Sequence, residues 1–450
     1  MVDLYASNHL YFLKALGQAY RPNVLDGPKP LLMLLTGLLP RWGWDTLFFV
    51  GVATTIYAFC RLSRHFTGSV AAGVATFMLY LFANTTVLGD LSGQLAPTYI
   101  VFTLLALIFF IDKRFKACSL SLLLSGLIRP ETWLLAFVYA LNCFFGNRSV
   151  EEDDGKKILR CNTHNVWILV PLAAPLIWVL TDLALSGGRD PLYSSHLAHI
   201  YSVISGRVPM KAYRFLPLLV ATPYYHFCGW AFWGGAAAGL GMILNKKTTT
   251  HREFGALWVI ALTPVFFYGL NCLFHPFDLD VRFFSGTAMV MYFFLCVTFY
   301  RFTPRIAKVF VLAAIVLLAF NYQNLMSAVI GGKAAAKYKT ATVNQLCVFM
   351  DSHPINGRVI AGEMLDKLSL RYGAEFSSRT LNLREISGGK EEFRDGDYVI
   401  WSFDDETGNA LKYSFLANGI RCKLGKVIFE PYFTSEDNLS SIFKIKIEKA

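Results

Sequence analysis

The sequence predicts an α-helical polytopic membrane protein with a small extracytoplasmic α/β domain at its C-terminus, and three observations carry that expectation. The 450 residues are 54% hydrophobic and 15% aromatic, with a mean hydropathy of +0.43, which is too apolar for a water-soluble chain. The net charge of +11 lies in the first 334 residues, because residues 335–450 balance 16 Lys and Arg against 16 Asp and Glu. That basic excess falls in short loops between apolar runs, where it orients helices and meets anionic lipid; nucleic acid is a poor partner for it. Finally, residues 335–450 abandon the long apolar runs for short alternating helix and strand signals.

Residues 1–43 form a leader. It opens with Asp3 and continues through an aromatic-rich amphipathic run (Tyr5, Leu10, Tyr11, Leu13, Leu16). It then turns at Gly27-Pro28 and presents Lys29 ahead of Pro30 and an apolar stretch too short to cross a bilayer. Such a leader belongs at a membrane surface. Residues 44–330 read as a transmembrane domain of about ten helices, with candidate spans at 44–60, 67–88, 95–112, 165–185, 226–245, 254–274, 283–300 and 306–328. The stretch 117–146 is too long for one crossing and short for two full ones at about 1.5 Å per residue. Arg129-Pro130-Glu131 interrupts it, and proline disfavours helical backbone in the residue before it, so a helix should stop just ahead of Pro130.

Reading 117–146 as a hairpin of two short helices places five loops on one side: RLSRH (61–65), DKRFK (112–116), NRSVEEDDGKKILR (147–160), NKKTTTHRE (245–253) and RFTPRIAK (301–308). All five are short and basic, as cytoplasmic loops are. A single crossing would move the last three to the other side and erase the bias. The opposite side then holds residues 89–98, the Arg129-Pro130-Glu131 turn, the long segment 186–225, residues 275–283 and both chain ends. The leader and the C-terminal domain are accordingly extracytoplasmic, on the outer face of the inner (cytoplasmic) membrane. Segment 186–225 carries aromatics at helical spacing and reads as short amphipathic helices lying on the membrane.

In the α/β domain, 335–450, the pattern predicts a polar helix near 341–352, strands at 357–362 and 397–401, a helix near 407–418, and strands at 426–430 and 441–448. The nine cysteines show neither a CxxC pair nor metal-ligand spacing, and most fall inside apolar runs as small core residues. Only Cys347 and Cys422 share the C-terminal domain, and a disulfide between them is not indicated.

Five strings stand in order along the outer side. Asp3 followed by Tyr5 looks like the start of a first outer loop; Gly27-Pro28-Lys29-Pro30-Leu31 looks like a lysine-proline-leucine segment; Arg129-Pro130-Glu131 looks like a bacterial RPE turn; and Asp190-Pro191-Leu192-Tyr193-Ser194 and Arg282-Phe283-Phe284 look like later outer-loop motifs. Together they resemble the GT-C glycosyltransferases, multi-spanning enzymes such as the lipid A aminoarabinose transferase and the protein O-mannosyltransferases, which take sugars from polyprenyl phosphate. Members begin with a transmembrane helix and often pair two acidic residues. Here Met1 stands two residues before Asp3 and Val2 precedes it, so the sequence reads as lacking that first helix.

The resemblance implies a GT-C fold and an inverting glycosyltransferase that needs no cofactor or metal. Its donor would be a polyprenyl-phosphate-linked monosaccharide, and its acceptor an envelope glycan, lipid or protein. Asp3 would be the catalytic base that takes the acceptor proton. Lys29, with Arg129 or Arg282, would hold the phosphate that gains charge as the glycosidic bond breaks, with Tyr5 and Asp190 also in the substrate site. Plainer roles stay open for each: Asp3 as a helix cap, Lys29 reaching to headgroups, Arg129 paired with Glu131, and Arg282 paired with Asp278 or Asp280. Asp90, Asp190, Asp278 and Asp280 are alternative bases, and His196, His199, His226 and His275 lack zinc-ligand spacing. A transporter or flippase of lipid-linked sugar is the rival from another class. It would need ionisable groups near the bilayer centre, whereas Asp45 and Asp182 lie near helix ends. An inactive family member is the third reading.

Overall fold

The computed structural model of the chain describes residues 2–20, 29–83, 96–146, 148–153, 156–161, 166–189, 229–244, 251–274, 285–302, 343–362, 364–383, 391–402, 419–435 and 440–448, with isolated positions at 191, 386 and 416. It divides into two compact units: Met1 with Lys29–Val329, and Val2–Pro28 with Ile330–Ala450. The division falls inside the leader, between Pro28 and Lys29. Helix α1, Val2–Ala15, belongs to the second unit. It buries Asn8, Leu10 and Tyr11 completely, while Leu16, just past its end, is exposed.

The first unit continues with helices α2 (Pro30–Leu38), α3 (Arg41–Thr67), α4 (Ala71–Ala83), α5 (Ala96–Ile111), α6 (Phe115–Ile128) and α7 (Trp133–Gly146). Beyond these come α8 (Ala173–Leu185), α9 (Gly229–Leu244), α10 (His251–Phe274) and α11 (Ser285–Phe302). Two boundaries correct the sequence reading. RLSRH is not a loop but the last turns of α3, which runs on to Thr67 and stops at Gly68 in the left-handed region (φ 75°), with Arg64 and His65 facing the negative helix end. The expected loop 147–160 contains an antiparallel ribbon, β1 (Arg148–Asp153) and β2 (Lys156–Cys161), registered from Arg148 opposite Cys161 to Asp153 opposite Lys156. Asp154-Gly155 between the strands is a strong two-residue hairpin signal. Span 306–328 and most of segment 186–225 lie outside the described residues.

The break ahead of Pro130 is where the sequence placed it: α6 ends at Ile128, Arg129 is extended (φ −139°, ψ 120°), and Pro130–Thr132 form a short 3-10 turn. Ser119 and Tyr139, on opposite sides of that turn, share a 3.1 Å hydrogen bond, so α6 and α7 fold back on each other as a hairpin. The basic segments also converge. Arg61 at the end of α3 reaches Asp112 after α5 at 3.3 Å. Arg301 at the end of α11 donates two hydrogen bonds to the Phe66 carbonyl (3.1 and 2.9 Å) and lies 5.3 Å over the ring of Phe254 in the first turn of α10. Lys116 lies over Trp167, just after the β ribbon. The segments flanking all five basic stretches therefore meet at one end of the unit.

Its core runs through Phe59, Phe66, Phe254, Tyr292, Phe293 and Phe294. Among the described residues no helix is long and apolar enough to cross a membrane. The longest, α3, carries Arg41, Asp45, Arg61 and Arg64, and the apolar α5 has 16 residues.

The second unit is built on a six-stranded mixed sheet of β3 (Val359–Ala361), β4 (Thr380–Asn382), β5 (Tyr398–Ser402), β6 (Cys422–Leu424), β7 (Val427–Thr434) and β8 (Ser440–Ile447), ordered β4-β3-β5-β8-β7-β6. The first three strands are parallel, and β8 joins them to an antiparallel half. Alternation assigns the faces. Val359, Tyr398, Ile400 and Ile442 face helices α12 (343–352) and α13 (Leu365–Ser378). Ile360, Val399, Trp401, Phe443 and Ile445 face the other core. Helix α13 and the three-residue strands β4 and β6 are additions to the sequence reading, and of the expected helix 407–418 every residue but Leu416 lies outside the described residues. Cys347 packs in one core and Cys422 against the other, and both are free thiols.

Candidate functional site

Helix α6 cannot close normally, because the residue four past Gly126 is Pro130, which has no N–H to donate to the Gly126 carbonyl. Two indoles supply the missing donors. Trp133 Nε1 donates at 3.0 Å and Trp178 Nε1 at 2.9 Å to that single oxygen. The two rings meet edge to face, 6.0 Å apart at 78°. Gly126 itself has no room for a side chain: a Cβ would stand 2.8 Å from the Ala174 Cβ and 3.2 Å from Trp133 Cδ1. The turn beyond is fixed as well, because Arg129 N–H donates to the Ser125 carbonyl at 3.0 Å and the Thr132 hydroxyl donates to the Arg129 carbonyl at 2.8 Å.

This arrangement holds Arg129 in the interior, 7% exposed, beside the fully buried Glu131, with Nε 3.7 Å from Oε1. The separation is that of an ion pair rather than a short hydrogen bond. The pairing with Glu131 is the plainer role the sequence left open for Arg129.

Lys29 is also 7% exposed. Its extended backbone (φ −112°) precedes α2, whose first residue, Pro30, lacks an N–H that a helix start leaves unbonded anyway. Leu31 in the same turn packs against the cluster Leu127, Ala174 and Trp178, as does Trp133. On α8, Asp182 follows Trp178 by one turn on the same face and is fully buried. Among the described residues of this unit the buried charged side chains are Lys29, Arg129, Glu131 and Asp182. All four stand on the elements that the one apolar cluster ties together. A buried lysine and arginine can bind a phosphate group, and a carboxylate beside the guanidinium orients it.

Lys29 and Arg129 are thus both buried, each next to an element that packs on the one apolar cluster. Asp3 and Tyr5 lie on α1 in the second unit, and Asp190 and Arg282 lie outside the described residues, as do Asp90, Asp278, Asp280, His196, His199, His226 and His275. Asp182, Gly126, Trp133 and Trp178 went unremarked or undervalued in the sequence. A glycine four residues before a proline, and Ala174, Trp178 and Asp182 at successive helical turns, were the available signals. Among the described residues no group of three or more His, Cys, Asp or Glu is placed to hold a metal ion. In the second unit the strongest ionic network, Arg358 with Asp397 at 2.7 Å and Glu391 at 3.1 Å, ties β3 to the approach of β5 and is structural.

No protein-family model and no curated protein matches the chain. Among solved structures it is similar to ArnT from Cupriavidus metallidurans bound to undecaprenyl phosphate, at 11% identity and a TM-score of 0.56 over 98% of this chain and 92% of that one. Two further matches are the archaeal oligosaccharyltransferase AglB from Archaeoglobus fulgidus in complex with an inhibitory peptide and a dolichol-phosphate, and an Archaeoglobus fulgidus oligosaccharyltransferase complex with zinc and sulfate. The first has 12% identity and a TM-score of 0.47, covering 92% of this chain and 67% of that one. The second has 12% identity and a TM-score of 0.38, covering 99% and 69%. The chain has the GT-C fold.

Proposed function

We propose that the chain is a polytopic membrane glycosyltransferase of the GT-C type. It moves a monosaccharide from a polyprenyl-phosphate carrier to an envelope glycan, lipid or protein acceptor at the outer face of the cytoplasmic membrane. The observation that carries this reading is the burial of Lys29 and Arg129 beside elements that share one apolar cluster, in a fold similar to that of a protein crystallised with undecaprenyl phosphate. Lys29 and Arg129 bind the lipid phosphate and stabilise the charge it gains as the bond to the sugar breaks. Glu131 pairs with Arg129 and aims it. Asp3 takes the proton of the acceptor hydroxyl, the sugar carbon inverts, and no metal or cofactor takes part. Tyr5, Asp190 and Arg282 complete the substrate site, and segment 186–225 shapes the acceptor entrance.

The full-length protein in detergent micelles should bind undecaprenyl phosphate much more tightly than undecaprenol, which lacks the phosphate. Lys29→Ala and Arg129→Ala should each weaken binding of the phosphate by about ten-fold or more, the loss expected for a charge-assisted hydrogen bond, and leave undecaprenol unaffected. Equal affinity of the unsubstituted protein for the two lipids would sink the reading. The buried charges also keep the flippase alternative in view: undecaprenyl-phosphate sugar that crosses a vesicle membrane unaltered, with no transfer to any acceptor, would favour it.

A further inference from the structure

We propose that Trp133 and Trp178 are positioning residues for Arg129, acting through the Gly126 carbonyl, and that they set the affinity of the site for a lipid phosphate. The inference rests on the phosphate reading of Lys29 and Arg129 given above. A carbonyl has two lone pairs, and a helix terminated by proline leaves this one without its usual donor. One indole would satisfy it. The second comes from another element: Trp133 opens α7, whereas Trp178 sits in the middle of α8. The shared oxygen therefore fixes the end of α6 against both neighbours at once.

Arg129 lies three residues beyond that oxygen on a turn pinned by Ser125 and Thr132, so a swing of the helix end carries the guanidinium with it. Asp182 is one turn from Trp178, so the same clamp sets α8 and its buried carboxylate relative to the arginine. Apolar packing alone would not require the N–H groups. Their convergence on the one carbonyl that Pro130 orphans, three residues before the buried arginine, points to placement of charge rather than to filling of space.

The test uses the full chain in micelles, with undecaprenyl phosphate and undecaprenol as probes. Trp133→Phe and Trp178→Phe each remove one N–H and keep an aromatic ring, leaving the other indole in place. Each should weaken undecaprenyl phosphate binding by about ten-fold, leave undecaprenol binding unchanged, and cause no further loss in an Arg129→Ala background. Loss of affinity for both lipids alike, additive loss on top of Arg129→Ala, or no loss at all would overturn the proposal, because the rings would then serve packing alone.

A second measurement needs no substitution. The indole N–H resonances of Trp133 and Trp178 should be protected from exchange and should shift on addition of undecaprenyl phosphate but not of undecaprenol; unresponsive indoles would equally overturn it. An unsubstituted protein that fails to distinguish the two lipids overturns the phosphate reading, and this inference with it. An Arg129-dependent preference that survives both Phe substitutions overturns the inference alone.

Discussion

At the scale of single residues, two roles in the leader should separate by their kinetics. On the proposed reading Lys29 meets the phosphate in both ground and transition states, so its removal should weaken donor binding as well as turnover. A general base acts only as the acceptor proton moves. Asp3→Asn keeps the shape of the side chain and should lower turnover by about 10²- to 10⁴-fold with donor affinity little changed. Full activity of Asp3→Asn beside an inactive Asp90→Asn or Asp280→Asn would transfer the role to that other carboxylate.

Between elements, close approach of helices decides which glycines are replaceable. On α9 a Cβ at Gly235 would collide with the backbone carbonyl of Met291, and one at Gly239 with the ring of Phe294, whereas a Cβ at Gly241 would meet nothing within 4 Å. Backbone cannot yield as a side chain can. Gly235→Ala should therefore lower the thermal unfolding midpoint of the full-length protein, by an amount corresponding to about 1–3 kcal/mol of overpacking. Gly241→Ala should be neutral or slightly stabilising, because alanine is the better helix former. Equal midpoints for the two variants would mean that α9 and α11 do not pack this closely. The spacing of Gly235 and Gly239, four residues apart on one face, is the small-residue pattern that lets helices meet without large side chains between them.

Across the whole molecule, the C-terminal unit carries the pH dependence that its surface ion pairs impose. Arg371 at 2.8 Å and the Tyr372 hydroxyl at 2.9 Å hold the Asp351 carboxyl below its usual value, and Lys446 at 2.7 Å does the same for Glu430. A carboxylate whose value falls on folding stabilises the fold fully above its ordinary value of about 4. That contribution is lost as pH falls through the depressed value. Amide exchange protection of α13 and of β7 and β8, corrected for intrinsic rates, should therefore decline as pH drops below about 4. The double variant Asp351→Asn, Glu430→Gln should show a shallower decline. Both pairs are solvent-exposed, so added salt should shrink the effect; a decline unchanged in the double variant would assign it to other groups.

The sequence by itself determined the class of the molecule and several of its joints. Apolar composition, basic loops that end together, the stop at Pro130 and the period-two strands of the C-terminal unit are local or additive properties, legible one segment at a time. It also singled out Lys29 and Arg129 as candidates, because a charge beside a proline in an apolar run is conspicuous on its own. Only tertiary structure decided what surrounds them. That Trp178, 52 residues from Gly126, completes a hydrogen bond that Pro130 leaves open is a pairing between distant segments, and no periodicity announces it. The same holds for Asp182, which near a helix end reads as a surface residue until α8 packs its face inward. It holds too for α13, whose amphipathic stretch is recognisable only once β3 and β5 give its apolar side a surface to cover. Local chemistry fixes where a chain can bend and which groups are reactive; burial, which depends on what the rest of the chain brings alongside, fixes which of those groups share a site.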